Sequence, residues 1–210
     1  PEGVGEEGIR RLLVRDRRGR MTEGDRPVRI VFTDLDGTLL ELERYDPGPA
    51  VPALDRLREA GVPVVFCSSK TRAEQEELRE RLGVRDPFIV ENGSAVHLPG
   101  GGPGEAGPTE GGGSGGEAPR AGDASIQLGI PVAEIRAALA EEAGRQGIRC
   151  QGYADLSLEE VAEETGLDAE AARRAATREW SETILRSSVA PDDPPFRRMV
   201  TALGERGIRC

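Results

Sequence analysis

The stretch that decides the fold is residues 31–40, Val31-Phe32-Thr33-Asp34-Leu35-Asp36-Gly37-Thr38-Leu39-Leu40. The run from Val28 to Thr33, apolar except for Arg29 and the final threonine, predicts a buried strand, because apolar runs are typical of parallel sheets covered on both faces. Two carboxylates, Asp34 and Asp36, follow the strand at positions i and i+2, and a Gly-Thr turn comes next. Carboxylates held this close repel each other, so the arrangement needs a cation or a shared proton.

The residue types at this turn favour phosphoryl chemistry. Mg²⁺ takes hard oxygen ligands, often one or two carboxylates together with phosphate oxygens of a substrate. An aspartate beside such an ion can attack phosphorus and form an aspartyl-phosphate. A second acid can then protonate the leaving oxygen and activate water. An Asx-turn on a protein surface has the same Asp-x-Asp-Gly pattern, but the apolar strand before it and Thr38-Leu39-Leu40 after it favour the catalytic interpretation.

Length and composition limit the classes of function. The 210 residues suffice for one large domain or two small ones, and the low hydrophobic fraction of 37% indicates that part of the chain is not packed. The net charge of −10 argues against nucleic acids and anionic membranes as partners, since both select basic surfaces. No apolar run approaches the roughly eighteen residues of a membrane span. The three cysteines lack disulfide-framework or zinc spacing, which favours a reduced, cytoplasmic setting.

Alternating strand and helix patterns surround the acidic turn. Strands are predicted at 62–67 and 88–90, and helices at 51–60 and 71–82. Strand, helix, strand, helix, strand within about sixty residues predicts an α/β fold with a doubly wound parallel sheet.

A long segment rich in Gly, Pro, Glu and Ala then interrupts the pattern and predicts a flexible linker. Beyond it, strand candidates at 126–128, 148–153 and 181–185 alternate with helices that end near 145, 165, 178 and 205. The sequence Gly-Ile-Arg-Cys occurs at 147–150 and again at 207–210, each time after a helix, which suggests two related halves. We expect a disordered or non-native extension at 1–26, a core at 27–98, the linker at 99–124 and an inserted module at 125–210.

Polar residues follow the second and third strands. Ser68 and Lys70, the single lysine of the chain, come at the carboxyl end of a strand and just before a helix, a position suited to phosphate. Helix capping by Ser69 or Thr71 is the alternative interpretation. After the third strand, Asn92 and Gly93 either form a turn or contact substrate. The sole histidine, His97, has no partner in the pattern and is expected at a loop or strand end.

These motifs resemble the haloacid-dehalogenase-like phosphatases with a type IIB cap, and among them the mannosyl-3-phosphoglycerate phosphatases. The broad resemblance depends on Asp34-Leu35-Asp36-Gly37-Thr38 and on Ser68. The narrower one depends on four runs, Ser68-Ser69-Lys70-Thr71-Arg72, Glu91-Asn92-Gly93, Leu128-Gly129-Ile130-Pro131 and Arg178-Glu179-Trp180-Ser181-Glu182. The resemblance covers residues 28–210, apart from the linker.

The resemblance implies a haloacid-dehalogenase-like core with an inserted α/β cap, and it implies specific roles. Asp34 is expected to be the nucleophile and a Mg²⁺ ligand, and Asp36 the general acid/base that also binds the metal through its backbone carbonyl. Ser68 is expected to hold the transferring phosphoryl group, and Lys70 to meet a substrate phosphate or carboxylate. Arg178 and Glu182 are candidates for contacts between the cap and a glycosyl-glycerate group, or else belong to a solvated helix end.

The expected substrate is a small sugar phosphate, mannosyl-3-phosphoglycerate or a close relative, with mannosylglycerate and phosphate as products. The third and fourth motifs of the family, a lysine and an acidic Gly-Asp loop after the cap, are not found in the sequence. The expectation is therefore a fragment with a core truncated at its C-terminus, with poor Mg²⁺ affinity and weak or absent turnover. Alternatives are another sugar phosphatase or a phosphomutase of the same superfamily, and a non-catalytic remnant or binding module. The oligomeric state is left open.

Overall fold

The computed structural model describes residues 12–15, 21–24, 28–41, 45–100 and 123–209. The strands are β1 Leu12–Arg15, β2 Met21–Gly24, β3 Val31–Thr33, β4 Val64–Cys67, β5 Phe88–Val90, β6 Ala95–Leu98 and β7 Ala124–Gln127. The helices are α1 Val51–Glu59, α2 Arg72–Leu82, α3 Val132–Gln146, α4 Leu158–Thr165, α5 Ala169–Ala176 and α6 Pro194–Glu205. The chain divides into two compact units, of which the first ends at Val65 and the second begins at Phe66.

The first unit contains a hairpin that the sequence pattern does not predict. Strands β1 and β2 pair antiparallel, with Leu12 opposite Gly24 and Arg15 opposite Met21. Both strands fall within the segment 1–26, which was expected to be disordered or non-native, and the rest of that segment lies outside the described residues. Helix α1 buries Leu54 and confirms the helix predicted at 51–60.

Strand β3 lies beside the beginning of β4 in the same unit, where the Val31 N–H donates to the Pro63 carbonyl at 2.9 Å. The prediction that the whole run 28–33 is a buried strand is wrong in two respects. Only Val31–Thr33 is a strand, and the side chains of Ile30 and Phe32 are 46% and 60% exposed. Alternate residues of a strand share a face, so these two lie on a face that the described part of this unit leaves open.

The second unit contains a mixed sheet. The end of β4 pairs parallel with β5, as predicted, with Phe66 opposite Phe88. Strands β6 and β7 then add antiparallel, so the sheet is mixed. The helices and this mixed sheet confirm the predicted α/β class. Strand β7, expected in the inserted module, instead extends the sheet next to β6, while the division into core, linker and cap stays a prediction.

The helices after β7 pack in two pairs. Helices α3 and α6 share an apolar cluster of Ala138, Ala143, Met199 and Leu203. Ile148 and Ile208, from the two copies of Gly-Ile-Arg-Cys, both pack against this cluster. Helices α4 and α5 pack together and bury Val161, Ala172 and Ala175. No described helix has the length and apolar character needed to cross a bilayer.

Two of the predicted strands do not form. At 148–153 and 181–185 the described backbone has only an isolated bridge between Gly152 and Ile184. Two backbone hydrogen bonds accompany this bridge, from the Tyr153 N–H to the Thr183 carbonyl at 3.1 Å and from the Leu185 N–H to the Gln151 carbonyl at 2.9 Å. Side chains also bind backbone donors here: the Gln151 N–H donates to Ser188 Oγ at 3.1 Å, and the Tyr153 N–H donates in addition to Glu182 Oε1 at 3.2 Å. The pairing therefore extends over one bridge and does not continue as a regular ladder.

His97 is buried in β6, one residue before the strand ends, and lies directly across from Phe88 of β5. Of the two predicted positions, a loop or a strand end, the structure has the second. Its ring stacks on the Phe88 ring with 4.9 Å between centroids, and the Arg79 guanidinium lies 4.1 Å from the Phe88 centroid. Burial, with the positive charges of Arg72 and Arg79, lowers the pKa of His97 to about 4. The imidazole is therefore neutral in the folded protein at neutral pH.

This burial predicts a pH dependence of stability. Between pH 6.5 and pH 4 the unfolded chain binds a proton at His97 that the folded chain does not, so stability falls as the pH falls through this range. We expect the free energy of unfolding to drop by about 2 kcal/mol more in the wild type than in His97→Phe between pH 7 and pH 5. Urea unfolding at the two pH values measures the difference, and parallel pH profiles would contradict the assignment.

Candidate functional site

The acidic turn after β3 is organised around the carbonyl of Leu35. This oxygen accepts N–H groups from Thr38, Leu39 and Leu40 at 3.2, 3.0 and 2.7 Å. The Gly37 N–H donates back to the Leu40 carbonyl at 2.9 Å, and Gly37 adopts φ +74°, which favours glycine. The side chains of Leu35, Leu39 and Leu40 are buried, so the apolar residues of the motif anchor the turn.

Asp34 and Asp36 flank the buried Leu35, as the sequence predicts. Asp34 is exposed and Asp36 is half-buried, and Asp34 Oδ1 accepts the Leu35 N–H at 2.7 Å. A cavity of about 550 Å³ lies beside the turn, lined by residues from Gly37 to Glu41 and by Asp46, Pro49 and Ala50. Carboxylate and carbonyl oxygens at such a turn are donors of the kind that suits Mg²⁺. Across the described ranges, no group of three or more His, Cys, Asp or Glu side chains is placed to share a metal ion.

In the second unit, the loop 68–70 leads from β4 into α2. Ser68 is buried; its N–H donates to the Ile89 carbonyl at 3.2 Å, and its Oγ accepts the Lys70 N–H at 3.3 Å. The ammonium of Lys70 lies 3.7 Å from Glu74 Oε1, so part of its charge is balanced within the protein. The structure therefore gives both predicted phosphate-binding residues internal contacts.

Thr71, rather than Ser69, caps helix α2. Its Oγ1 accepts the Glu74 N–H at 3.2 Å and its N–H donates to the Glu74 carboxylate at 2.9 Å, which completes a capping box. The Thr71 hydroxyl also donates to the Arg174 carbonyl of α5 at 2.8 Å. Thr71 is fully buried, so the start of α2 is tied to α5.

The segment 91–93 after β5 turns back onto the loop 68–70. The Glu91 N–H donates to the Lys70 carbonyl at 3.1 Å, and the Asn92 N–H donates to the Ser68 carbonyl at 3.0 Å. These bonds bring four predicted residues together, Ser68, Lys70, Asn92 and Gly93. Glu91, Asn92 and Gly93 have φ of +48°, +60° and +94°. Asparagine and glycine adopt this left-handed region readily, whereas glutamate does so rarely.

The sequence motifs include Glu91 but assign no role to its carboxylate, which the structure surrounds with hydrogen-bond donors. Glu91 is 1% exposed, and it accepts the N–H groups of Glu179 at 2.9 Å and Trp180 at 3.1 Å. The Ser181 hydroxyl donates to it at 2.5 Å, and Arg178 Nε lies 3.9 Å away. An acid directly after a buried strand was the signal that could have identified it.

Arg178 and Glu182 have different surroundings. The Arg178 guanidinium donates to the Ser69 carbonyl and to Ser181 Oγ, both at 3.0 Å, so it lies at the loop 68–70. Glu182 pairs with Arg136 and accepts the Thr183 N–H at 2.9 Å. Their side chains are 10% and 3% exposed, so the interpretation as a solvated helix end is wrong. Burial raises the pKa of Glu179 between them, and the nearby Glu91 adds to this shift.

The double role of Thr71 leads to a stability prediction. Thr71→Val keeps the shape but removes both the helix cap and the bond to the Arg174 carbonyl, so we expect a loss of about 2 kcal/mol. Thr71→Ser should restore most of it. Thr201→Val is the matched control, because the exposed Thr201 hydroxyl donates only to the Arg197 carbonyl of its own helix. Equal losses in the Thr71→Val and Thr201→Val proteins, measured by urea unfolding, would contradict this account.

The sequence is similar to those of known proteins. Residues 31–102 match the family model described as haloacid dehalogenase-like hydrolase. A mannosyl-3-phosphoglycerate phosphatase of Pyrococcus furiosus is 43% identical over 157 residues, which cover 75% of this chain and 60% of the relative. A glucosyl-3-phosphoglycerate/mannosyl-3-phosphoglycerate phosphatase of Methanococcoides burtonii is 37% identical, with 74% of this chain and 54% of the relative covered.

The chain thus spans between half and three fifths of the length of these curated relatives. A crystal structure of a Thermoplasma acidophilum protein has a similar fold, with a TM-score of 0.52 at 17% identity, covering 86% of this chain and 58% of that one. Residues 31–102, which contain the Asp34-Leu35-Asp36 turn, are thus similar to the haloacid dehalogenase-like hydrolases, and about three quarters of the chain is similar to mannosyl-3-phosphoglycerate phosphatases.

Proposed function

We propose that the protein is a Mg²⁺-dependent phosphomonoesterase that hydrolyses mannosyl-3-phosphoglycerate, or a close glycosyl-phosphoglycerate, to mannosylglycerate and phosphate. The observation that carries the proposal is the turn 34–40, where two carboxylates flank a buried leucine at the end of β3. The proposed substrate is that of the two relatives, which are phosphatases of mannosyl-3-phosphoglycerate. The substrate is a small molecule, and the proposed setting is the cytoplasm.

The proposed reaction has two steps. A carboxylate oxygen of Asp34 attacks phosphorus, and the bond between phosphorus and the ester oxygen breaks while Asp36 donates its proton to that oxygen. Asp36 then takes a proton from water, which attacks the phosphorus, and the bond to Asp34 breaks to release phosphate. The exposure of Asp34 suits the nucleophile, because the attacking oxygen must reach the substrate.

Mg²⁺ would be held by the Asp34 carboxylate and the Asp36 backbone carbonyl. When bound, it would offset the negative charge of the phosphoryl group and of the nucleophile. The oxygen donors of the turn are consistent with this ion.

Further roles are proposed for residues of the second unit. Ser68 and the backbone of its loop would bind phosphoryl oxygens, and Lys70 would offset substrate charge. Asn92 and Gly93 would provide polar contacts to the substrate. Arg178, which already lies at the loop, is the stronger candidate for a contact with the glycosyl-glycerate group, whereas Glu182 would act through its pairing with Arg136. We also propose that residues 27–98 form the core, 99–124 a linker and 125–210 a cap of type IIB.

Asp34→Asn provides the main test of this function. The amide is a poor nucleophile, so we expect release of phosphate from mannosyl-3-phosphoglycerate to fall at least about a thousandfold. Asp55→Asn is the matched control, because Asp55 is an exposed aspartate of α1 that pairs with Arg58 at 2.6 Å. A colorimetric assay of released phosphate measures all three proteins.

Two results of that assay would contradict the proposal. The first is absence of phosphate release by the wild-type protein with Mg²⁺ present. The second is equal release by the wild type and Asp34→Asn, which would place the nucleophile elsewhere.

The metal requirement gives a separate prediction. Removal of divalent cations with EDTA should abolish phosphate release, and added MgCl₂ should restore it, because the charge on the phosphoryl group is otherwise uncompensated. Calcium, which takes more ligands at longer distances, should restore far less. Full activity in EDTA would exclude the proposed role of Mg²⁺.

A further inference from the structure

We propose that Glu91 is a positioning residue for the loop 68–70. Its buried carboxylate holds residues 179–181, and with them Arg178, against that loop, and so sets the geometry of Ser68 and Lys70. The inference rests on the proposed function only in taking this loop as the part that binds phosphate.

The carboxylate of Glu91 is buried. A carboxylate with 1% exposure is stable only when donors replace the water it has lost. Two backbone N–H groups, from Glu179 and Trp180, and the Ser181 hydroxyl supply them at 2.5–3.1 Å. All three donors come from one short segment, so the position of that segment depends on this carboxylate.

The main chain at Glu91 also binds the loop itself. The Glu91 N–H donates to the Lys70 carbonyl at 3.1 Å, and the next N–H, of Asn92, donates to the Ser68 carbonyl at 3.0 Å. One residue thus contacts the loop through its backbone and the segment 179–181 through its side chain. A shift of either partner is transmitted to the other.

Arg178 connects the loop 68–70 directly to the segment 178–181. Its guanidinium donates to Ser69 in the middle of the loop and to Ser181, which also donates to Glu91. The loop, Glu91 and the segment 178–181 therefore form a closed cycle of hydrogen bonds. Removing the charge of Glu91 opens the cycle at its most buried point and frees the Arg178 contact as well.

The backbone of Glu91 is consistent with this role. Its φ of +48° is unfavourable for a side chain other than glycine, asparagine or aspartate. Such strain persists only where surrounding contacts hold it in place. Here the Lys70 carbonyl and the donors of the segment 179–181 provide those contacts.

Glu91→Gln tests the proposal, with inorganic phosphate as the probe. The amide keeps the length of the side chain but turns an N–H₂ group toward a donor. We expect the dissociation constant for phosphate, measured by calorimetry with MgCl₂ present, to rise about tenfold. Hydrogen exchange at the amides of Glu179 and Trp180 should become faster. The midpoint of urea unfolding, measured on the same variant, shows how much of this change comes from a general loss of stability.

Glu142→Gln is the matched control. Glu142 is also a buried glutamate, and it lies on helix α3. It pairs with Arg145 of the same helix at 2.9 Å and with Arg206, which follows α6, at 3.4 Å. Its variant should leave phosphate binding and the exchange at Glu179 and Trp180 unchanged. Ser181→Ala removes one donor to Glu91 and is expected to fold; it should weaken phosphate binding in the same direction as Glu91→Gln, by a smaller factor.

The outcomes separate the two proposals. Unchanged phosphate binding in Glu91→Gln, despite faster exchange at Glu179 and Trp180, overturns the positioning role but leaves the proposed function intact. If Glu91→Gln does not fold, unchanged binding in Ser181→Ala overturns the role in its place. A wild-type protein that binds no phosphate contradicts the proposed function, and the positioning role falls with it.

Discussion

The hydrogen-bond demand of one buried carboxylate organises much of the second unit. Glu91 stands where β5 ends, excluded from water, and its oxygens are satisfied by residues almost ninety positions later in the chain. Through its backbone the same residue meets the loop that follows β4. The end of the parallel strand pair, the start of α2 and the segment after α5 are thereby held together by polar contacts rather than by apolar packing alone.

Local signals in the sequence were sufficient to predict the elements whose end groups are hydrogen-bonded by residues only a few positions away. Thr71 and Glu74, like Ser157 and Glu160, form capping boxes within four residues, and their helices begin directly after Thr71 and Ser157. Asp168 caps α5 by accepting the Ala171 N–H at 2.8 Å. The turn at Asp34 was predictable for the same reason, since the bonds that form it lie between residues 34 and 40.

Elements that depend on distant partners could not be predicted in this way. Strand β6 forms because Val90 and Ala95 face each other across a turn with three left-handed residues, which no apolar periodicity reveals. The candidates at 148–153 and 181–185 have suitable composition, but they pair only at the bridge between Gly152 and Ile184, and Ser188 binds the Gln151 N–H. The hydrogen-bond partners of Glu91 are likewise distant in the sequence. The same holds for Arg178, which contacts the loop 68–70, and for Glu182, which pairs with Arg136.

The central claim is that Asp34 carries the phosphoryl group during turnover. The most direct measurement is to quench the protein with acid while it hydrolyses mannosyl-3-phosphoglycerate, reduce any acyl phosphate with borohydride, and map the product by peptide mass spectrometry. The account predicts reduction of the Asp34 side chain to the alcohol of homoserine, and of no other carboxylate. Phosphate release with reduction at a different acid, or with none at Asp34, would contradict it.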